Sequence, residues 1–130
     1  MSLILVDSSV WIDYFRGSGE IDADRFEGLI DTNQICTNEL ILAELIPVLS
    51  QKGQSEVIQA LKSVKVIPLT IVWPDIIDLQ FMNLKSGINK IGIPDLIILQ
   101  NVIQNGLSLF TLDSHFQLMK QNIEFRLLEK

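Results

Sequence analysis

The chain has 130 residues, 48% of them hydrophobic, which suffices for a single domain with one sizeable core. Its mean hydropathy of +0.33 is high, yet no apolar run approaches the roughly 20 residues of a membrane helix, and no basic region precedes an N-terminal apolar stretch. The net charge of −6 argues against a broad nucleic-acid footprint, unless several acids are gathered around a cation that inverts the local field.

From the N-terminus, Leu3–Val6 reads as a short buried strand and Ser8–Arg16 as a helix, with Val10, Trp11, Tyr14 and Phe15 near the helical period. Gly17 and Gly19 end it. Ala23–Asp31 reads as a helix and Gln34–Thr37 as a strand. Asn38 caps the next helix, whose inner positions are Leu42, Leu45, Ile46 and Leu49; Ile41 falls outside that set, and Pro47 predicts a kink or an early end.

Ser55–Ser63 is expected as a helix, Val64–Leu69 as a strand, and Pro74–Leu84 as a helix with Asp75 in its first turn. Ser86–Ile93 has no clear period and reads as a loop. Pro94–Gln104 then forms an apolar helix stopped by Asn105 and Gly106. Leu107–Leu112 is a strand, Ser114–Gln121 a helix and Glu124–Leu128 a final short strand. Alternating strands and helices with no linker predict residues 1–130 as one α/β domain, a three-layer α/β/α sandwich around a mostly parallel sheet. The single Cys36, in an apolar context, excludes an internal disulfide and agrees with a cytoplasmic location.

Four acids stand at informative places. Asp7 and Asp113 directly follow apolar strand runs, Asp95 follows Pro94 at a helix start, and Glu44 lies within a mostly apolar helix. Chemistry in open α/β sheets gathers beyond the carboxyl ends of strands, where such residues can meet. Two carboxylates about 4 Å apart repel by roughly 4 kcal/mol at an effective dielectric near 20. Several together therefore call for a divalent cation or shared protons. Asp7, Asp95 and Asp113 also read as simple helix caps. Glu44 is harder to explain structurally, and Glu39, about 140° away on an ideal helix, faces elsewhere. Asp13 reads as a solvated or capping acid, the nearest of the remaining aspartates to the site, and His115 as a solvent-facing residue. Arg16, Lys85 and Lys90 are candidates for phosphate contacts.

The segments VDSSVWIDYFRG, TNELILAEL, IPDLIIL and LFTLDSHF, in this order, resemble the PIN-domain ribonuclease family and most closely its VapC-type toxins. The resemblance covers essentially the whole chain. It implies a metal-dependent endoribonuclease with Asp7, Glu44, Asp95 and Asp113 as catalytic acids and Mg²⁺ or Mn²⁺ ligands. Ser9 and Thr111 match the family's small polar and hydroxyl residues. Water activated by metal would then attack the phosphodiester, with the cation stabilising the attacking and leaving oxygens. The resemblance further implies an RNA substrate, a homodimer and a cognate antitoxin seated against the Val10–Phe15 helix, its arginine entering the acidic pocket. Pro47, Gln100 and Asn101 depart from the family pattern.

A phosphoacceptor receiver domain would need paired acids after the first strand and a lysine after a late one. A dehalogenase-type phosphatase would need an aspartate where Ser9 stands. The remaining alternative is a catalytically weak PIN-fold module that acts through a protein partner.

Overall fold

A computed structural model describes residues 3–129. Five strands form one sheet: β1 (Ile4–Val6), β2 (Ile35–Thr37), β3 (Lys65–Val66), β4 (Ser108–Phe110) and β5 (Arg126–Leu127). Every neighbouring pair is parallel, in the order β3-β2-β1-β4-β5. The chain thus winds outward from β1 through β2 to β3, then crosses back and winds outward through β4 to β5. The reversal falls between β1 and β4, and right-handed crossovers put the helices of the two halves on opposite faces.

Between β1 and β2 lie α1 (Ser8–Arg16) and α2 (Ala23–Asp31), and between β2 and β3 lie α3 (Glu39–Gln51) and α4 (Ser55–Lys62). The long return carries α5 (Trp73–Lys85) and α6 (Ile93–Asn105), and α7 (Ser114–Lys120) joins β4 to β5. The strands are shorter than their apolar runs suggest. In Leu107–Leu112 only Ser108–Phe110 forms the strand, paired with β1 throughout and with β5 at Ser108 and Leu109, and Thr111 and Leu112 turn out toward the sheet's carboxyl edge.

The core is aliphatic at the sheet and aromatic where α1 meets α2. Trp11 and Phe26 are fully buried, edge-to-face at 5.0 Å, and Tyr14 packs on Phe26 at 5.1 Å. The helix expected to line an antitoxin groove therefore keeps only Ile12, Tyr14 and Phe15 partly exposed. Val10 and Trp11 are wholly enclosed, and Tyr14 and Phe15 pack partly buried against the core. The exposed large apolar side chains concentrate instead on α5, where Trp73, Ile77, Phe81 and Leu84 are each more than half exposed.

Three polar residues are better placed than the sequence suggests. Asp13 is buried, not solvated, and its carboxylate accepts from the backbone N–H of Glu20 at 3.3 Å and Ile21 at 3.1 Å. It ties down the glycine-containing turn after α1, which needs left-handed backbone at Gly17 and Gly19. Gln100 bonds both the N–H and the C=O of Val72. Asn101 accepts from Asn38 at 3.1 Å and donates to the Pro68 carbonyl at 3.1 Å. These amides fasten the crossing segment before α5 onto α6.

In α3, Asn38 caps as expected by accepting from the Ile41 N–H at 2.9 Å. Ile41 is completely buried with Leu45 and Leu49, so the inward stripe begins one position earlier than predicted. Pro47 does not end the helix, which runs on to Gln51. Proline in a helix interior removes one i→i−4 hydrogen bond and crowds the preceding turn. Pro47 is exposed, so Pro47→Ala removes that penalty without opening the core. We expect it to raise unfolding stability by about 1–3 kcal/mol, read by urea denaturation monitored by circular dichroism.

Candidate functional site

The site begins at the junction of β1 and β4. The Asp7 N–H donates to the Phe110 carbonyl at 2.9 Å, extending the ladder beyond both strands. Asp7 then leaves the sheet as the N-cap of α1, accepting from the Ser8 N–H at 2.8 Å. Its other carboxylate oxygen accepts from Ser9 Oγ at 2.9 Å and Thr111 Oγ1 at 2.7 Å. Each hydroxyl has one proton to give, and both give it to Asp7. Their lone pairs accept backbone N–H groups across the gap, Leu112 to Ser9 at 3.0 Å and Asp113 to Thr111 at 3.0 Å. Asp7 is thereby buried, oriented and cross-linked to the chain leaving β4.

Asp113 is the N-cap of α7, accepting from the His115 N–H at 2.9 Å. Asp95 stands in the first turn of α6, behind Pro94. Glu44 projects from the middle of α3 as an exposed residue, so the expected cost of burying it does not arise in full. The capping readings of Asp7 and Asp113 are therefore correct, and neither excludes a second role. A cap uses one oxygen and leaves lone pairs for a further partner, although at Asp7 the second oxygen already accepts from Ser9 and Thr111.

Asp95 and Asp113 are brought together, whereas Asp7 and Glu44 lie within electrostatic reach of Asp95 but outside that close group of ligand atoms. Loss of water on its inner side raises the Glu44 carboxyl above its ordinary pKa, and repulsion from Asp7 and Asp95 adds to it. Burial likewise raises Asp95, followed by repulsion from Asp113 and then Asp7, while His115 pulls the other way. Sequence reasoning missed His115. Its ring is only partly exposed, and Nδ1 lies 3.6 Å from both Asp95 Oδ2 and Asp113 Oδ1. The spacing Asp113-x-His115, at the start of a helix, was the available signal. Asp95, Asp113 and His115 each present one ligand atom, all within 4.8 Å of one another. This donor set fits a divalent cation, since oxygen-rich sites with like-charge repulsion to relieve suit hard metals.

A doubly wound parallel sheet, with Asp7, Asp95 and Asp113 beyond its carboxyl edge, defines the class as an open α/β domain. The PIN domain family model matches residues 4–121, and the chain belongs to that family. Solved structures of similar fold include VapBC2 from Rickettsia felis bound to a promoter DNA fragment, at 19% identity, 97% coverage of both chains and a TM-score of 0.76. VapBC from Salmonella typhimurium, bound to DNA, follows at 16% identity, 98% coverage of both chains and 0.75. VapBC-5 from Mycobacterium tuberculosis, of the VapBC family of toxin-antitoxin systems, is 22% identical over 100% of both chains at 0.69. None of the curated proteins matches significantly. Among the described residues no helix is long and apolar enough to cross a membrane.

The raised carboxyls set a pH dependence. A carboxyl whose folded pKa lies above its unfolded value contributes stability that is complete below the unfolded pKa, and loses it as pH rises through the folded pKa. Without divalent cations, the contributions of Glu44 and Asp95 should therefore fade from about pH 4 upward. Urea denaturation between pH 4 and 7 in a chelator should show Asp95→Asn gaining on the wild type as pH rises. Parallel pH profiles for the two proteins would contradict the repulsion.

Proposed function

We propose that this chain is a Mg²⁺- or Mn²⁺-dependent endoribonuclease, the toxin of a toxin–antitoxin pair. The observation that carries the reading is the close pairing of Asp95 with Asp113 at the carboxyl edge of a PIN-family sheet, with Asp7 and Glu44 near enough to act on Asp95. In this reading the four carboxylates are the catalytic acids and hold the cation. When bound, it supplies a Lewis acid for the phosphodiester and acidifies a water for attack at phosphorus.

The chain's own residues do the rest. Asp7, with Oδ1 and Oδ2 fixed by the Ser8 amide and the Ser9 and Thr111 hydroxyls, presents its remaining lone pairs in one direction. Asp95 and Asp113, on separate helix starts, face the same space from the other half of the sheet. Glu44 closes it from α3, and its exposure leaves that side open to a polymer. The raised carboxyls of Glu44 and Asp95 mark where a cation would relieve desolvation and like-charge repulsion.

RNA is the substrate in this proposal, and the partner is a cognate antitoxin whose arginine neutralises the acid cluster in place of the cation. The VapBC complexes of similar fold support that partner. A homodimer belongs to the same reading, supported by the apolar face of α5.

Cleavage of a fluorescent RNA pool should require Mg²⁺ or Mn²⁺ and stop with a chelator. Asp7→Asn and Asp95→Asn should each lower the rate by at least about 100-fold with the fold retained, and Thr111→Val by about 10- to 100-fold through loss of Asp7 orientation. The wild-type melting temperature should climb with the logarithm of metal concentration, and this climb should shrink in Asp7→Asn. Full cleavage by either acid-to-amide variant refutes the mechanism.

A further inference from the structure

We infer that His115 supplies a nitrogen ligand beside Asp95 and Asp113, so that the site favours borderline cations such as Co²⁺ over Mg²⁺. The inference rests on the proposed metal site and adds a donor that the four acids do not provide. His115 Nδ1 is 3.6 Å from an oxygen of each aspartate. The nitrogen is shared evenly between the two carboxylates, at ion-pair distance from both and longer than a well-formed hydrogen bond to either. The three donor atoms lie within 4.8 Å of one another, so a modest closing of the side chains would bring them to the spacing of at most about 4.2 Å that ligand distances near 2.1 Å allow.

The backbone makes the placement rigid. His115 donates its N–H to Asp113 Oδ1 at 2.9 Å, so the cap that starts α7 also fixes the ring's origin. Phe116, the next residue, is fully buried and anchors that turn against the core. The ring therefore reaches the acids from a held position. If its role were only to neutralise them, a flexible lysine or arginine would serve as well.

An imidazole changes which cation the site prefers. Mg²⁺ favours oxygen ligands and retains its waters, whereas imidazole nitrogen strengthens binding along the series from Mn²⁺ toward Co²⁺ and Ni²⁺. The prediction is a selectivity, and it can be read without RNA.

The test uses tag-free full-length protein, because His115 is the chain's single histidine and any imidazole signal is then its own. Calorimetric titration with Co²⁺ and with Mg²⁺ is compared for the wild type, His115→Gln and His115→Phe, each checked by its melting curve. We expect both variants to lose about tenfold or more in Co²⁺ affinity while Mg²⁺ affinity changes little. Proton NMR of the Co²⁺-loaded wild type should show one exchangeable imidazole N–H resonance with a large paramagnetic shift.

An unshifted imidazole, or Co²⁺ affinity unchanged in His115→Gln, overturns the inference. Tighter binding of both cations in the variants also overturns it, because His115 would then be a competing cation and not a ligand. Failure of the nuclease reading looks different: the wild type would show the imidazole signal yet cut no RNA. If neither cation binds the wild type, both readings fall.

Discussion

The carboxylate of Asp7 accepts hydrogen bonds from three groups that belong to two distant stretches of chain. The Ser8 N–H and the Ser9 hydroxyl come from the first turn of α1, and the Thr111 hydroxyl comes from the segment leaving β4. Adjacent parallel strands whose connections run opposite ways leave a gap beyond their carboxyl ends. Here the gap lies between β1 and β4, and Asp7 spans it. Without that carboxylate, Ser9 and Thr111 would keep their acceptor contacts to Leu112 and Asp113 but lose the common centre that sets their spacing. The helix start carrying Asp113 and His115 is registered against the helix start at Asp7 through this one group.

The arrangement has an electrostatic cost. Glu44 and Asp95 both feel Asp7, and Asp95 also feels Asp113. At Asp113 an asparagine would cap the helix as well, whereas Asp7 accepts on both oxygens, as an amide could not. The raised carboxyls of Glu44 and Asp95 mean that charge at these two positions costs stability at one edge of the sheet. The burial of Trp11, Phe26 and the strand residues elsewhere covers that loss. Divided between a well-buried apolar core and a repulsive edge, the molecule has the pattern of a protein whose site is completed by something positively charged.

Much of this was legible in the sequence, for identifiable reasons. Apolar runs ending in a single aspartate mark both β1 and β4, because a strand buried on two faces must be continuous in apolar residues and its first polar residue marks the edge. Helix limits followed from Asn38, Gly17 and Gly106, each of which does the local job its chemistry suggests. What stayed hidden depends on neighbours remote in sequence. Asp13 looks like a surface acid until the turn at Glu20 and Ile21 folds back on it. His115 looks solvent-facing because nothing near it in the chain reveals that α6 brings Asp95 alongside. Pro47 was read by its local penalty, which the tertiary packing of Leu45 and Leu49 outweighs.

Gln100 and Asn101 show how a departure from a family pattern can be constructive. Buried amides are costly unless each donor and acceptor is met. Gln100 meets its needs at Val72, and Asn101 at Asn38 and Pro68. The segment they hold carries the chain from β3 to α5, where no strand pairs with it. Asn38, bonded to Asn101, is also the cap of α3, the helix that carries Glu44. Through this pair, α6 with Asp95 and α3 with Glu44 are fixed to each other across the sheet's carboxyl edge. Small apolar residues at these positions would pack as well but would leave the two acid-bearing helices to be aligned by contact alone.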